Sequence, residues 1–372
     1  MKVLHVFNAL EFSGAEVMYV QAASLFQESG CELIALSTAN HLGGYADNFK
    51  EKGYQIEHQP LTLSLKTVFS FIQSLIWIFK FIKTEKIDVV HIHRSSHFWW
   101  VALAAKLAGA GGVRTIHNVF KNRWFTRPKA IIERWSARVI LGITFHTIGE
   151  SVYQNEKKYY KNITVKVNNW FDSKTFSPAV NLEEKQKIRN ELGLGNALVV
   201  ISVGGCSYVK RHEDIIEAVS IISKSKNIIY LHLGDGVNCK DERTQSAKLN
   251  LTNNIVFVGN TNEVRKYLIA SDIYLMPSRF EGLSISTVEA MACGLPMVLY
   301  NVPGLKDLIH DNDTGMLINE NVDSLVNAIN YLEDNPEIKE KMSSKALLSA
   351  NNDYGISNGV NGIINIYNSV SK

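Results

Sequence analysis

The sequence predicts an α/β protein of two doubly wound domains, each a parallel sheet covered by helices on both faces. Three observations carry that reading. The chain has 372 residues, room for two domains of roughly 150 residues each. Short apolar runs alternate with helix-length segments, the order that parallel strands with crossover helices require. The alternation occurs once before about residue 170 and again after about residue 195.

Taken in order, residues 3–7 read as the first strand, because His5, Asn8 and Glu11 interrupt any signal-peptide core. Residues 33–37, 89–93 and 113–116 continue the first sheet. Residues 199–203, 228–233, 255–258, 273–276 and 297–300 build the second. The longest apolar stretch, residues 68–82, spans 15 residues and contains Gln73, Ser74 and Lys80. That is short of the ~20 residues a transmembrane helix needs. Residues 168–178, NNWFDSKTFSP, cluster turn formers and aromatics between the two patterns. They place the domains at 1–173 and 174–350, with residues 351–372 expected to pack back on the first domain as a helix. Two open α/β domains facing across a cleft bind ligands at the carboxyl ends of their strands.

The four cysteines, Cys31, Cys206, Cys239 and Cys293, form no C-x-x-C and are too few to staple a chain of this size. A reducing, cytosolic setting is expected. Residues 1–173 carry 20 basic and 13 acidic side chains, a net +7, while residues 174–372 carry 19 and 23, a net −4. A basic half can serve an anionic bilayer, a phosphorylated substrate or nucleic acid.

The most informative stretch is 278–296, SRFEGLSISTVEAMACGLP, directly after a predicted strand. Glu281 and Glu289 stand eight positions apart. On one helix that is about 12 Å at ~1.5 Å per residue, too far for a glycosidase pair, which needs ~5–9.5 Å. The alternative places Glu281 in the loop, Gly282 at the turn, and a helix over 283–293 stopped by Gly294 and Pro296. The amides near Leu283, Ser284 and Ser286 would then form an anion site suited to a diphosphate. Two carboxylates beside a diphosphate suit sugar and ribose hydroxyls.

With these residues in place, the sequence resembles the retaining nucleotide-sugar glycosyltransferases of family four, the glycosyl transferases group 1, whose two-Rossmann-domain architecture is called GT-B. Glu281 and Glu289 match the family's Glu, seven residues, Glu motif. Further matches follow in order: FSGAE at 12–16, DVVHIH at 88–93, TIHN at 115–118, VGG with VKRH at 203–212, LGDG at 233–236 and SDIYLMPS at 271–278. The resemblance implies that Glu289 binds the nucleotide ribose, Glu281 contacts donor-sugar hydroxyls, His117 lies near the transferred sugar, and Lys210 neutralises phosphate. It also implies a retaining transfer without a metal or other cofactor, with a UDP-sugar the favoured donor. Many relatives carry Arg where this chain has Gly205, and Arg211 is the candidate substitute. Gly234 of LGDG and Asn260, whose loop bears on the choice of base, complete the expected donor set.

Plainer readings stand beside these. Gly14, in Ser13-Gly14-Ala15, is either a tight strand-to-helix turn or a loop amide for a donor or acceptor phosphate. His91 and His93 share one face of a strand, with no third metal ligand evident. Asp311-Asn312-Asp313 spells D-x-D but sits in a surface-turn context. Residues 65–82, with Trp77 and flanking lysines, read first as a sheet-covering helix and second as a membrane-surface helix. Residues 121–138 carry six basic and one acidic side chain, interleaved with Trp124, Phe125 and Trp135. Arg123, Trp124, Arg127 and Lys129 are therefore expected at an acceptor or an anionic membrane surface on the inner face of the cell membrane, the alternative being a plain solvated face. Together these features predict transfer of a sugar to a glycan or lipid-linked acceptor in surface polysaccharide assembly. The rivals are a GT-B sugar-nucleotide epimerase or hydrolase and a non-catalytic two-domain small-molecule binding protein. No nucleic-acid module is recognisable, so no nucleic-acid partner is expected.

Overall fold

The computed structural model describes residues 1–63, 67–94, 96–119 and 126–371. It divides into two compact units, Met1–Trp170 with Ile356–Lys372, and Phe171–Gly355.

The first unit is built on β1 (Lys2–Phe7), β2 (Glu32–Ser37), β3 (Gln55–His58), β4 (Val89–Ile92), β5 (Gly111–Ile116), β6 (Ile143–Thr147) and β7 (Thr164–Lys166). They form one sheet in the order β3-β2-β1-β4-β5-β6-β7, and every pairing is parallel. Five of the six residues of β1 are buried, as helices on both faces demand. The sheet order reverses between β1 and β4, where Val3 lies opposite Val89 and Val6 opposite Ile92.

Helix Val68–Thr84 buries Phe71, Ser74, Ile78 and Ile82, so one face covers the core. Its Val68, Phe69, Ile72 and Ile76 remain exposed. Helix Ile356–Val370 buries Ile356, Val360, Ile363, Ile366 and Tyr367, a stripe at helical spacing. It belongs to the first unit because Gly359 lies against Trp170: a Cβ there would sit 2.1 Å from the indole ring. Trp170 is itself buried and donates its indole N–H to the Met18 carbonyl at 3.3 Å.

The second unit holds β8 (Leu198–Val203), β9 (Ile228–Leu233), β10 (Ile255–Gly259), β11 (Ile273–Met276), β12 (Met297–Tyr300) and β13 (Gly315–Ile318). Their order is β10-β9-β8-β11-β12-β13, again parallel throughout. The reversal falls between β8 and β11, which positions the loops after those two strands side by side. The D-x-D residues make the turn between β12 and β13: Asn312 has φ +60°, the Asp311 carboxylate accepts from the Leu317 amide at 2.9 Å, and Asp313 pairs with Lys345.

The structure corrects the cysteine reading: Cys206 and Cys239 are bonded to each other, while Cys31 and Cys293 are free and buried. Spacing in sequence hid this, because Cys206 lies in the loop after β8 and Cys239 opens the helix Cys239–Lys248 that follows β9. Among the described residues no helix is long and apolar enough to cross a membrane.

Candidate active site

The loops after β8 and β11 bring Lys210 and Glu281 together. Lys210 Nζ donates to Glu281 Oε1 at 2.7 Å, and Ser278 Oγ donates to the same oxygen at 2.7 Å. Both charged side chains are largely shielded from water. Gly204 lines the lysine stem: a Cβ there would lie 3.0 Å from Lys210 Cε. Gly304 packs beneath the Glu281 backbone, since its Cβ would fall 2.3 Å from the Glu281 carbonyl oxygen. A pair held this firmly keeps one carboxylate oxygen engaged and leaves Glu281 Oε2 for other donors.

The helix that follows runs Ile285–Ala292, two residues later than expected, because Ser284 adopts extended N-cap geometry at φ −74°, ψ 103°. Ser284 makes no side-chain cap. Its hydroxyl instead accepts from Thr287 Oγ1 at 2.9 Å and lies 3.3 Å from Ser286 Oγ. The first intrahelical bond runs from Val288 N to Ser284 O, so the amides ahead of it make no bond within the helix. Ser286 Oγ donates to the Val203 carbonyl at 2.9 Å, tying the helix start to the end of β8. Gly282, Leu283 and Ser284 are all buried.

Glu289 lies one turn further on and is 7% exposed. No hydrogen bond or ion pair reaches its carboxyl group among the described residues, and burial alone raises its pKa to about 8. A buried, unpartnered carboxyl beside open amides is chemistry directed at a ligand.

Gly234 has φ +129°, and a Cβ there would lie 2.1 Å from the Gly204 oxygen. Only glycine lets the loop after β9 approach the loop after β8 this closely. Arg211 does not join Lys210. It stands at φ +57° at the start of helix His212–Ile222, its Nε 2.9 Å from Asp214 Oδ2 and its Nη1 3.4 Å from Glu320 Oε2. Two carboxylates therefore match its charge. Asn260 is exposed just after β10.

In the first unit, Gly14 is not a loop residue: it is the first residue of helix Gly14–Gln21, with Ser13 at the N-cap. His117 follows β5, and its Nε2 lies 3.2 Å from His93 Nδ1. Desolvation, with Arg114 and His146 nearby, lowers the His117 pKa to about 3, so the ring is neutral. The third imidazole missed from the sequence is His5, which joins His91 and His93. His5 Nδ1 lies 3.0 Å from His93 Nε2, while His91 is held between Tyr367 and Thr115, each at 2.6 Å. Pairing of β1 with β4 puts His5 opposite His91, a neighbour relation that no sequence spacing reveals. These contacts make a hydrogen-bonded chain behind His117.

Arg123 and Trp124 lie outside the described residues. Arg127 donates to the Tyr159 carbonyl at 2.8 Å, and its guanidinium lies over the Tyr159 ring, while Lys129 is exposed. Arg134 leaves the surface set: it is buried and holds Glu156 with two bonds of 2.8 and 3.1 Å. Ile132, Trp135 and Val139 are exposed on the same helix, Arg127–Val139.

With this geometry established, comparison with known proteins is informative. The family model described as "Glycosyl transferases group 1" matches residues 184–348. "Glycosyltransferase Family 4" matches residues 12–150. The chain is 29% identical over 311 residues to UDP-Gal:alpha-D-GlcNAc-diphosphoundecaprenol alpha-1,3-galactosyltransferase of Escherichia coli, covering 79% of each chain. Its fold is similar to that of a glycosyltransferase from Rickettsia africae, with a TM-score of 0.85 at 20% identity over 99% of this chain and 98% of the other. It is likewise similar to the Anabaena protein HepE solved with UDP and glucose, with a TM-score of 0.86 at 17% identity over 99% and 100% of the two chains.

Proposed function

This chain belongs to the group 1 glycosyltransferases of GT-B fold, and from that premise we propose a retaining, metal-independent transfer from a UDP-sugar to a lipid-linked glycan acceptor. It is a glycosyltransferase with a nucleotide-sugar donor, and no observation favours the epimerase, hydrolase or binding-protein readings. The observation that carries the site assignment is the Lys210–Glu281 pair at 2.7 Å beside the uncapped start of helix Ile285–Ala292.

In this reading the donor diphosphate sits on the first-turn amides around Leu283, Ser284 and Ser286. Lys210 supplies the cation. Arg211 has no part in phosphate binding, because Asp214 and Glu320 already engage it. As the sugar–phosphate bond breaks, negative charge grows on the departing nucleoside diphosphate, and a preorganised lysine and amide array stabilises that charge. Glu281 Oε2 accepts from sugar hydroxyls while Oε1 stays bonded to Lys210 and Ser278. Glu289 accepts from the ribose. Gly234 contributes by letting its loop close on Gly204, and Asn260 flanks the base. Departure and attack occur on one face of the sugar, the donor phosphate helping to take the acceptor proton. His117, whose ring desolvation holds neutral, is available within the first unit as a hydrogen-bonding group.

The first unit receives the acceptor. The E. coli relative is named for a UDP-Gal donor and a diphosphoundecaprenol-linked acceptor, which supports a UDP-sugar and a lipid carrier here. Exposed Phe69, Ile72, Ile76, Ile132, Trp135 and Val139, with Arg127 and Lys129 nearby in sequence, fit contact with an anionic bilayer. Gly14, at an exposed helix start, is available to a phosphate but carries no separate assignment. Turnover assays test the reading: Glu281→Gln is expected to abolish transfer while largely sparing nucleotide binding, and wild-type turnover in that variant would refute it.

A further inference from the structure

Beside the donor loops, and apart from them in chemistry, lies a buried cluster that the transfer reaction does not use. Cys206, His212, His232 and Glu242 are all buried, and one ligand atom from each lies within 4.8 Å of the others. They come from four successive parts of the second unit: the loop after β8, the first residue of helix His212–Ile222, β9, and helix Cys239–Lys248.

The separations are those of ligands around a common centre. His232 Nε2 lies 2.9 Å from His212 Nδ1 and 2.9 Å from Glu242 Oε2. His212 Nδ1 lies 3.3 Å from Glu242 Oε1, and Cys206 Sγ lies 3.8 Å from His232 Nε2. A tetrahedral zinc with ~2.0 Å nitrogen and oxygen bonds and a ~2.3 Å sulfur bond spaces its ligands about 3.3–3.6 Å apart, within this range. Hydrogen bonding alone accounts for the cluster poorly. Among the described residues Glu242 Oε2 is buried without a hydrogen-bond partner despite its proximity to His232, an atom that calls for a ligand.

We infer that Cys206, His212, His232 and Glu242 form a structural site for a zinc-class divalent cation, competent when the Cys206 thiol is free. The bond to Cys239 is the alternative state, because a disulfide sulfur cannot act as a thiolate ligand. Among the described residues the outer nitrogens, His212 Nε2 and His232 Nδ1, have no hydrogen-bond partner, so affinity is expected below that of sites whose imidazoles are oriented from behind.

The test is cobalt(II) and zinc(II) titration of the full, tag-free chain, with and without a thiol reductant, read by absorption and by metal content. The reduced wild type is expected to take up one equivalent with a tetrahedral cobalt spectrum and a sulfur charge-transfer band, and the disulfide form none. Cys239→Ser should bind without reductant, whereas Cys206→Ser should lose the sulfur band and stoichiometric uptake. Circular dichroism establishes that both variants are folded, and Glu242→Gln provides a second ligand deletion in which uptake should fall. No uptake by reduced wild type and Cys239→Ser, or undiminished uptake by Cys206→Ser and Glu242→Gln, would overturn the site.

Discussion

Glu289 has a buried carboxyl, no cation within reach and a pKa raised to about 8 by desolvation. A folded-state pKa above the ordinary carboxyl value of 4.5 means that stability is fully present below pH 4.5 and is lost as pH rises through about 8. Wild type should therefore lose thermal stability relative to Glu289→Gln between pH 5 and pH 9, and parallel melting curves across that range would contradict it. At Lys210, leaving-group charge grows only in the transition state, so Lys210→Ala should lower kcat by about 10²–10³-fold, with a smaller change in donor affinity. Steady-state kinetics with measured nucleotide Kd separates the two, and equal loss of both would remove Lys210 from that role. The strand, turn and helix around the two glutamates were legible because the phrase at 278–296 spells all three in sequence, whereas the approach of Lys210 to Glu281, 71 positions apart, is made by the fold. Arg211 was not legible either, since its partners Asp214 and Glu320 are assembled by the fold: Glu320 lies 109 positions away.

Among the elements, the buried strands were legible where apolar residues dominate them, as in β11, IYLM, and in β1, where His5 alone interrupts the apolar residues after Lys2. Four strands escaped the sequence pattern for physical reasons. β3, QIEH, is an edge strand whose ends are exposed, and β7 is a three-residue edge strand with two exposed positions. β6 carries Thr144, His146 and Thr147 within five residues, and β13, GMLI, is another short edge strand. The turn glycines yield a sharper prediction. Gly234→Ala combines a positive φ with a backbone clash at the Gly204 oxygen, so it should destabilise the second unit by about 1–3 kcal/mol. It should also weaken donor binding through the displaced loop. Urea unfolding measures the first effect, and an unchanged midpoint would show that the close approach is not required.

At the scale of the whole molecule, the split of +7 before residue 174 and −4 after it fits the proposed contact of the N-terminal half with an anionic surface. Sedimentation with anionic vesicles should detect binding that falls steeply between low and physiological salt, as screening lengths of about 10 Å at 0.1 M require. Trp135→Ser with Phe69→Ser should weaken that binding while leaving the fold intact, since both side chains are at least half exposed. Failure of the wild type to bind at low salt would count against the bilayer contact. The donor site is tested most directly by thermal unfolding with UDP, GDP and ADP, using Glu289→Ala as the control. A ligand at ~100 times Kd adds about 2.7 kcal/mol, enough for a shift of a few degrees. UDP is expected to raise the midpoint of the wild type but not of Glu289→Ala. No shift with any of the three nucleotides, or an equal UDP shift in the variant, would contradict the assignment.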